Sequence, residues 1–266
     1  MMRRIHAFMA GLVVLMVLAG CDDAAMSLNA ADTTPAMMDR GIVYILPGIQ
    51  GVDEHYKNIR QGLRGAGLKC AIKIHPWGCQ IPGLNLLVNE TDVADDRDWG
   101  RRIAREIAEY QRSYPGRPVG IIGQSGGCGV AVFAAESLST MPGAASIEGL
   151  ILLDASVSAN YDLTAALSAC NRGILNFYNE QDVALLGAGT QMFGNVDGGH
   201  GDSAGRCGFE RRFPKLHQIQ IRKDMVDAFA DPHFADTSAA FASQYIAPWL
   251  IDKTWPAYGS GSLAGE

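Results

Sequence analysis

Residues 119–127 read Val-Gly-Ile-Ile-Gly-Gln-Ser-Gly-Gly, a short apolar run that breaks straight into Gly123-Gln124-Ser125-Gly126-Gly127. The stretch behind it, Cys128 to Leu138, is small and apolar with no breaker, so the order is strand, tight turn, helix. A turn that sharp needs glycine on both flanks, because a side chain there would collide with the strand or the helix. It lifts the Ser125 hydroxyl clear of the sheet edge, and the helix aims its N-terminal amides at the same point. The five-residue pattern alone is weak evidence in a chain with 31 glycines among 266 residues. A second copy, Gly201-Asp202-Ser203-Ala204-Gly205, comes after Asp197-Gly198-Gly199-His200 with no strand before it and no helical pattern after it. It reads as a glycine-rich loop, and context favours Ser125.

Outward from the turn, the chain alternates. Ile42–Leu46 is a strand bounded by Pro47-Gly48, Glu54–Leu63 a helix, and Lys69–Ile74 a second strand broken by Pro76. Asp98–Tyr110 carries Ile103, Ile107 and Tyr110 at helical spacing, and Pro118–Ile122 is the third strand. Gly149–Leu153, Ile174–Tyr178 and Leu216–Ile221 are the fourth to sixth strands, and a helix over Ala239–Ile251 closes the domain. Short, nearly all-apolar strands separated by helices predict a doubly wound, mostly parallel sheet of about six strands covered on both faces. Ligands on such sheets bind at the carboxyl ends of the strands, where Ser125 stands.

The ends differ from this body. Met1-Met2-Arg3-Arg4 is basic, and a mostly apolar stretch then runs to Leu18-Ala19-Gly20-Cys21. Its uninterrupted apolar part is shorter than the ~20 residues a spanning helix needs, which predicts a signal peptide over 1–20. Leu-Ala-Gly-Cys resembles the bacterial lipobox. That implies lipidation of Cys21 and a protein held on a membrane of the bacterial cell envelope, with ordinary secretion as the alternative. Residues 21–39 are rich in Ala, Asp, Ser, Asn, Thr and Met and predict a flexible tether. A globular domain over 40–255 and a disordered Gly/Ser-rich tail over 256–266 complete the division. A net charge of −6 without any Lys/Arg block argues against a nucleic-acid partner. Apart from Cys21 there are five cysteines. Cys128 is expected as a buried small hydrophobe, and Cys170–Cys207 and Cys70–Cys79 are candidate disulfides.

From Gly41 to about Leu250 the chain resembles the α/β-hydrolase family in a minimal form, on the strength of the elbow turn and of the acid and histidine that come later in the chain. That family's order is nucleophile, acid, histidine, with the acid beyond the second strand after the elbow strand and the histidine beyond the last. Asp182, after Asn176-Phe177-Tyr178-Asn179-Glu180-Gln181, matches the acid position, with Glu180 and Asp154 as rivals. His233, in Ala230-Asp231-Pro232-His233-Phe234, matches the histidine position. His55 and His75 precede the elbow, and His217 lies within the last strand and reads as structural. His200 with Asp197 and Asp202 offers metal-ligand types, but a surface histidine is expected there and no metal site.

The resemblance implies that Ser125 attacks, His233 takes its proton and Asp182 orients the imidazole. It also implies an oxyanion hole from the amides of Gly126 and of Ile49, which comes after Pro47-Gly48 where the family usually has His-Gly. The implied activity is hydrolysis of small-molecule or lipid-like carboxylic esters through an acyl-serine, with no cofactor. A thioesterase or amidase using the same residues, or a catalytically silent binding lipoprotein, are the alternatives. Only one short helix fits between the fourth and fifth strands, so the site is expected to be lidless and Ser125 fairly open. Val183–Pro214 is a long connection that either lines the pocket or is a surface excursion, and Trp77, Ile49 and Phe234 are candidates for an apolar wall. Oligomeric state is not legible in these residues.

Overall fold

A computed structural model of the chain describes residues 27–78, 93–182, 195–228 and 230–251. The expectations for the signal peptide, Cys21, Cys79, residues 183–194 of the long connection and the tail fall outside these residues.

Six strands form one sheet: β1 (Ile42–Leu46), β2 (Ala71–Ile74), β3 (Val119–Gln124), β4 (Ile147–Leu153), β5 (Cys170–Tyr178) and β6 (Leu216–Gln220). Their spatial order is β2-β1-β3-β4-β5-β6. Every adjacent pair is parallel, so all six carboxyl ends emerge on one edge. Strands β1 to β4 are apolar at nearly every position because both faces are covered, whereas edge strand β6 is mixed and has no fully buried position. Successive side chains point to opposite sides of a pleated strand. Ile42, Tyr44 and Leu46 thus join one core cluster with Ile121, Leu150 and Ile174, while Val43 and Ile45 join the other with Ile72, Ile122, Ile151 and Leu175.

Three long helices supply the covers: α1 (Glu54–Gly65), α2 (Val93–Ser113) and α3 (Gly126–Thr140). Ile103, Ala104, Ile107 and Tyr110 of α2 pack with α3 on the first face. On the second face Tyr56, Ile59 and Leu63 of α1 pack with a closing helical run through residues 239–251. That run contains a π turn at Ala242–Ile246. Helices α2 and α3 touch closely at Gly100, where a Cβ would stand 2.5 Å from Phe133 Cβ.

Several boundaries lie beyond the expected ones. Helix α2 begins five residues earlier, at Val93, and β5 begins at Cys170 instead of Ile174. The early part of β5 carries polar Asn171 and Arg172 and a left-handed Gly173, which hide it from an apolar-run pattern. The second glycine-rich copy also differs: Ser203 precedes a four-residue helical turn, Ala204–Cys207, too short to show periodicity. Ser203 is fully buried with an ordinary extended backbone (φ −91°), so it shares neither the strain nor the setting of Ser125.

The expected tether is docked in its second half. Asn29 is buried and imitates a strand, its side-chain amide donating to Ile74 O at 2.9 Å while its oxygen accepts from Ile74 N at 2.9 Å. Ile72 N donates to Asp32 O, and the Asp32 carboxylate pairs with Arg60 and Arg64. Edge strand β2 would otherwise offer unpaired backbone groups, and this segment covers them. Cys70, Cys128, Cys170 and Cys207 are free thiols, so the Cys170–Cys207 disulfide is absent. Cys170 is buried at the start of β5 whereas Cys207 is exposed.

Candidate active site

Ser125 follows the last residue of β3 and caps α3 with φ 51° and ψ −122°, a conformation that a residue with a Cβ adopts only under strain. The neighbours explain the glycines. At Gly123 a Cβ would meet Cys128 Cα at 2.7 Å and Gly127 O at 2.8 Å. At Gly127 it would run into the carbonyls of Leu46 and Pro47 at the end of β1. Two hydrogen bonds hold the turn from the β4 side: Ser125 N donates to Leu153 O at 2.9 Å, and Ser156 N donates to Ser125 O at 3.2 Å. The 15-residue α3 then points its positive end at the serine.

The acid and the histidine come from the segments that follow β5 and β6. Asp182 lies beyond β5 and is 2% exposed. His233 lies beyond β6, in a turn where its own N–H donates to the Asp231 carboxylate at 2.9 Å. His233 Nδ1 and Asp182 Oδ2 are 2.5 Å apart, a short buried hydrogen bond. Asn179 links the two loops by donating to Pro232 O at 2.8 Å. Of the rival acids, Glu180 is exposed. Asp154, after β4, is fully buried beside the pair with φ 46°.

Among the described residues, Asp154, Asp182 and His233 are the group whose ligating atoms lie within 4.8 Å of one another. Asp182 and His233 are committed to each other in the short hydrogen bond, so the cluster is an acid–histidine pair with a second acid alongside. Asp197 accepts from Ser158 N and Asp202 pairs with Arg206, leaving His200 as an exposed loop residue. His75 bonds Glu106, His217 lies against Trp249, and His55 bonds Thr237 while stacking on Phe234 at 4.3 Å.

Two polar residues without an assigned role in the sequence tie the site together. Gln124, the one polar side chain of β3, donates to His233 O at 3.1 Å. Its oxygen accepts from Tyr56 OH at 3.0 Å, and Tyr56 OH in turn accepts from Gly48 N at 2.8 Å. The loop after β1, the elbow and the histidine loop are thereby joined through one buried amide. The signal in the sequence is a lone glutamine in an otherwise apolar strand, although its partners lie 68 and 109 residues away.

The surroundings are tighter than the lidless expectation. Ser125 is 6% exposed and His233 4%. A Cβ on Gly126 would meet Ile49 at 2.7 Å, Val196 at 3.4 Å and Trp77 at 3.5 Å, so these three form an apolar wall over the start of α3. Trp77 is held there by its Nε1–H donating to Pro47 O at 2.6 Å. Val196 belongs to the long connection after β5 and is fully buried, so that part of the connection is core.

Burial raises the acids around the histidine. Asp154 is pushed well above the carboxylate range by burial, and further by the charges of Asp236, Asp182 and Asp231. Burial pushes Asp236 up to about 8, with Asp182 adding to the rise and a backbone hydrogen bond opposing it. Asp236 thus keeps its proton up to about pH 8 when folded and releases it near pH 4 when unfolded. Between those values the folded chain binds a proton that the unfolded chain does not. The stability this contributes is full below about pH 4 and is lost as pH rises toward 8. Asp236→Asn, which cannot ionise, is expected to raise Tm by several degrees at about pH 8, with the gain shrinking toward pH 4.5. Thermal melts across pH check this, and an equal shift at both ends would refute it.

The elbow serine thus sits at the carboxyl end of β3 in a six-stranded parallel sheet, with an acid after β5 and a histidine after β6. The fold is a minimal α/β-hydrolase fold. Solved structures similar to this chain include a poly(3-hydroxybutyrate) depolymerase, LpqC, from Bordetella parapertussis. It has 15% identity and a TM-score of 0.45, over 84% of this chain and 83% of that one. A cutinase-like protein from a Cryptococcus species has 14% identity and a TM-score of 0.42, covering 83% of this chain and 97% of its own. The esterase domain of a Rhodothermus marinus protein has 12% identity and a TM-score of 0.44, with coverages of 82% and 88%. No protein-family model and no curated protein sequence matches the chain. The sheet order and the elbow carry the assignment of this fold.

Proposed function

We propose that the chain is a serine hydrolase that cleaves carboxylic esters through an acyl-serine intermediate. The observation that carries this is the strained Ser125 at the head of α3, with the buried Asp182–His233 pair anchored to the neighbouring Gln124. A serine hydroxyl is a weak nucleophile on its own. With Nδ1 committed to Asp182, His233 has Nε2 left to take the Ser125 proton as Oγ attacks the ester carbonyl. The oxyanion would be met by the amides of Gly126 and Ile49, on the two segments packed together beside the serine. His233 then returns the proton to the departing alcohol, and water repeats the sequence to release the acid. The chemistry requires no cofactor.

Labelling with a fluorophosphonate tests this reading. The wild type is expected to label, Ser125→Ala is not, and Ser203→Ala is expected to label as the wild type does. Absence of Ser125-dependent labelling would reject the proposal.

The lipobox extends the proposal to location. Lipidated at Cys21, the domain would sit close to a membrane, because only six residues separate Cys21 from Leu28, which packs against the core. They span at most about 25 Å. Expressed in a bacterium fed an alkyne fatty acid, the wild type is expected to take up the label and fractionate with membranes, and Cys21→Ser to lose both. A soluble, unlabelled wild type would reject the anchor.

A further inference from the structure

The active-site histidine has two acids beside it, and only one is bonded to it. Asp154 follows β4 and Asp182 lies a few residues beyond β5, neighbouring strands of the sheet, so both carboxyls arrive on the same edge. One oxygen of each and one nitrogen of His233 lie within 4.8 Å of one another. Asp154 is 0% exposed, and neither of its oxygens has a hydrogen-bond partner among the described residues. Its φ of 46° is unfavourable for a residue with a side chain. Burial of an unpartnered carboxyl is unfavourable too. Among the described residues no hydrogen bond offsets these costs, which makes a purely structural role a poor account of this side chain.

The groups around Asp154 are Asp182, Asp236 and Asp231, with the buried Cys128 thiol and the His233 ring. Two carboxylates this close in a dry site do not both ionise. Asp154, fully buried and without a hydrogen-bond partner for either oxygen, is the one that retains its proton. We propose that Asp154 is a second positioning acid for His233, placed to take over the Nδ1–H bond when Asp182 is neutralised. Loss of the Asp182 charge removes one source of repulsion, and the imidazolium formed in the reaction then favours ionised Asp154. The distance to be closed, from an Asp154 oxygen to a ring nitrogen of His233, is less than 4.8 Å.

The kinetic form of this inference rests on the serine-hydrolase reading, so its test has two arms. In the first, kcat/KM for a p-nitrophenyl ester is followed across pH in wild type, Asp182→Asn, Asp154→Asn and the double variant. Removal of the triad acid alone costs about 10⁴-fold in a serine protease that has no second acid. Here Asp182→Asn is expected to cost about 10²-fold in the native background and about 10⁴-fold in the Asp154→Asn background. The residual activity of Asp182→Asn should also show a pH dependence that the double variant lacks. Equal costs in both backgrounds would overturn the proposal. In the second arm, ¹⁵N NMR of histidine-labelled protein reads the His233 tautomer in a Ser125→Ala background. The Nδ1–H form should persist in Asp182→Asn and be lost in the double variant, and loss already in the single variant would overturn it. This arm needs no activity, so a chain that hydrolyses no ester defeats the serine-hydrolase reading without deciding the role of Asp154. Should Asp182→Asn fail to fold in a thermal melt, Asp182→Ala replaces it with the same readout.

Discussion

Ester hydrolysis is expected to fall by about 10⁵- to 10⁶-fold on replacing either Ser125 or His233 with alanine, and the double variant should be no slower than either single one. The reason is that the two act in one event. Without His233 the serine keeps its proton, and without Ser125 the imidazole has nothing to activate. What remains in each case is the same residual catalysis, from polarisation of the carbonyl at the head of α3. The short bond to Asp182 and the anchor from Gln124 fix His233 so completely that no other described histidine can substitute. His55, the nearest in the sense of packing on Phe234, is itself engaged with Thr237. Kinetics of purified variants with a p-nitrophenyl ester check this. Additive losses, with the double variant slower by the product of the two factors, would show that the residues do not work as a unit.

A large effect on stability is expected from a single methyl group. Gly127→Ala gains helix propensity of about 1 kcal/mol in isolation. Its Cβ, however, would overlap the carbonyl oxygens of Leu46 and Pro47 and lie 2.8 Å from Leu46 C. All of these are backbone atoms, so no side-chain rotation relieves the overlap, and either β1 or α3 has to move. Overpacking of this kind costs about 3 kcal/mol or somewhat more. For a domain of this size that lowers Tm by about 10 °C. Gly65→Ala is the matched control, because a Cβ there meets nothing within 4 Å and the change should be neutral or slightly stabilising. A Gly127→Ala protein that melts within about a degree of the wild type would show that α3 is not pressed against the end of β1.

The turn that carries the candidate nucleophile was legible because its signals are local. The apolar run of β3, the paired glycines and the breaker-free helix lie within about twenty consecutive residues, and steric exclusion acts over that range. The same locality separated Ser125 from Ser203, whose buried, unstrained turn has no strand feeding it. Other features depend on contacts made between distant parts of the chain. Asn29 looks like tether until its amide meets Ile74, 45 residues on. Gln124 is one letter within the elbow pattern until it reaches Tyr56 and His233. Ser125 was expected at an open mouth because no lid precedes β5, whereas Ile49, Trp77 and Val196 converge on the start of α3 from three separate segments.

By itself, then, the sequence determined a six-stranded parallel sheet and a serine held on a turn that only glycine permits on its flanks. Periodicity and backbone sterics operate between near neighbours, and these features need nothing more. Which acid bonds the histidine was decided only in three dimensions. Asp154 and Asp182 leave adjacent strands toward the same ring, and the difference between a 2.5 Å hydrogen bond and an unpartnered carboxyl is set by the loops that carry them. Burial then holds the proton on Asp154, because a dry site does not hold two like charges side by side.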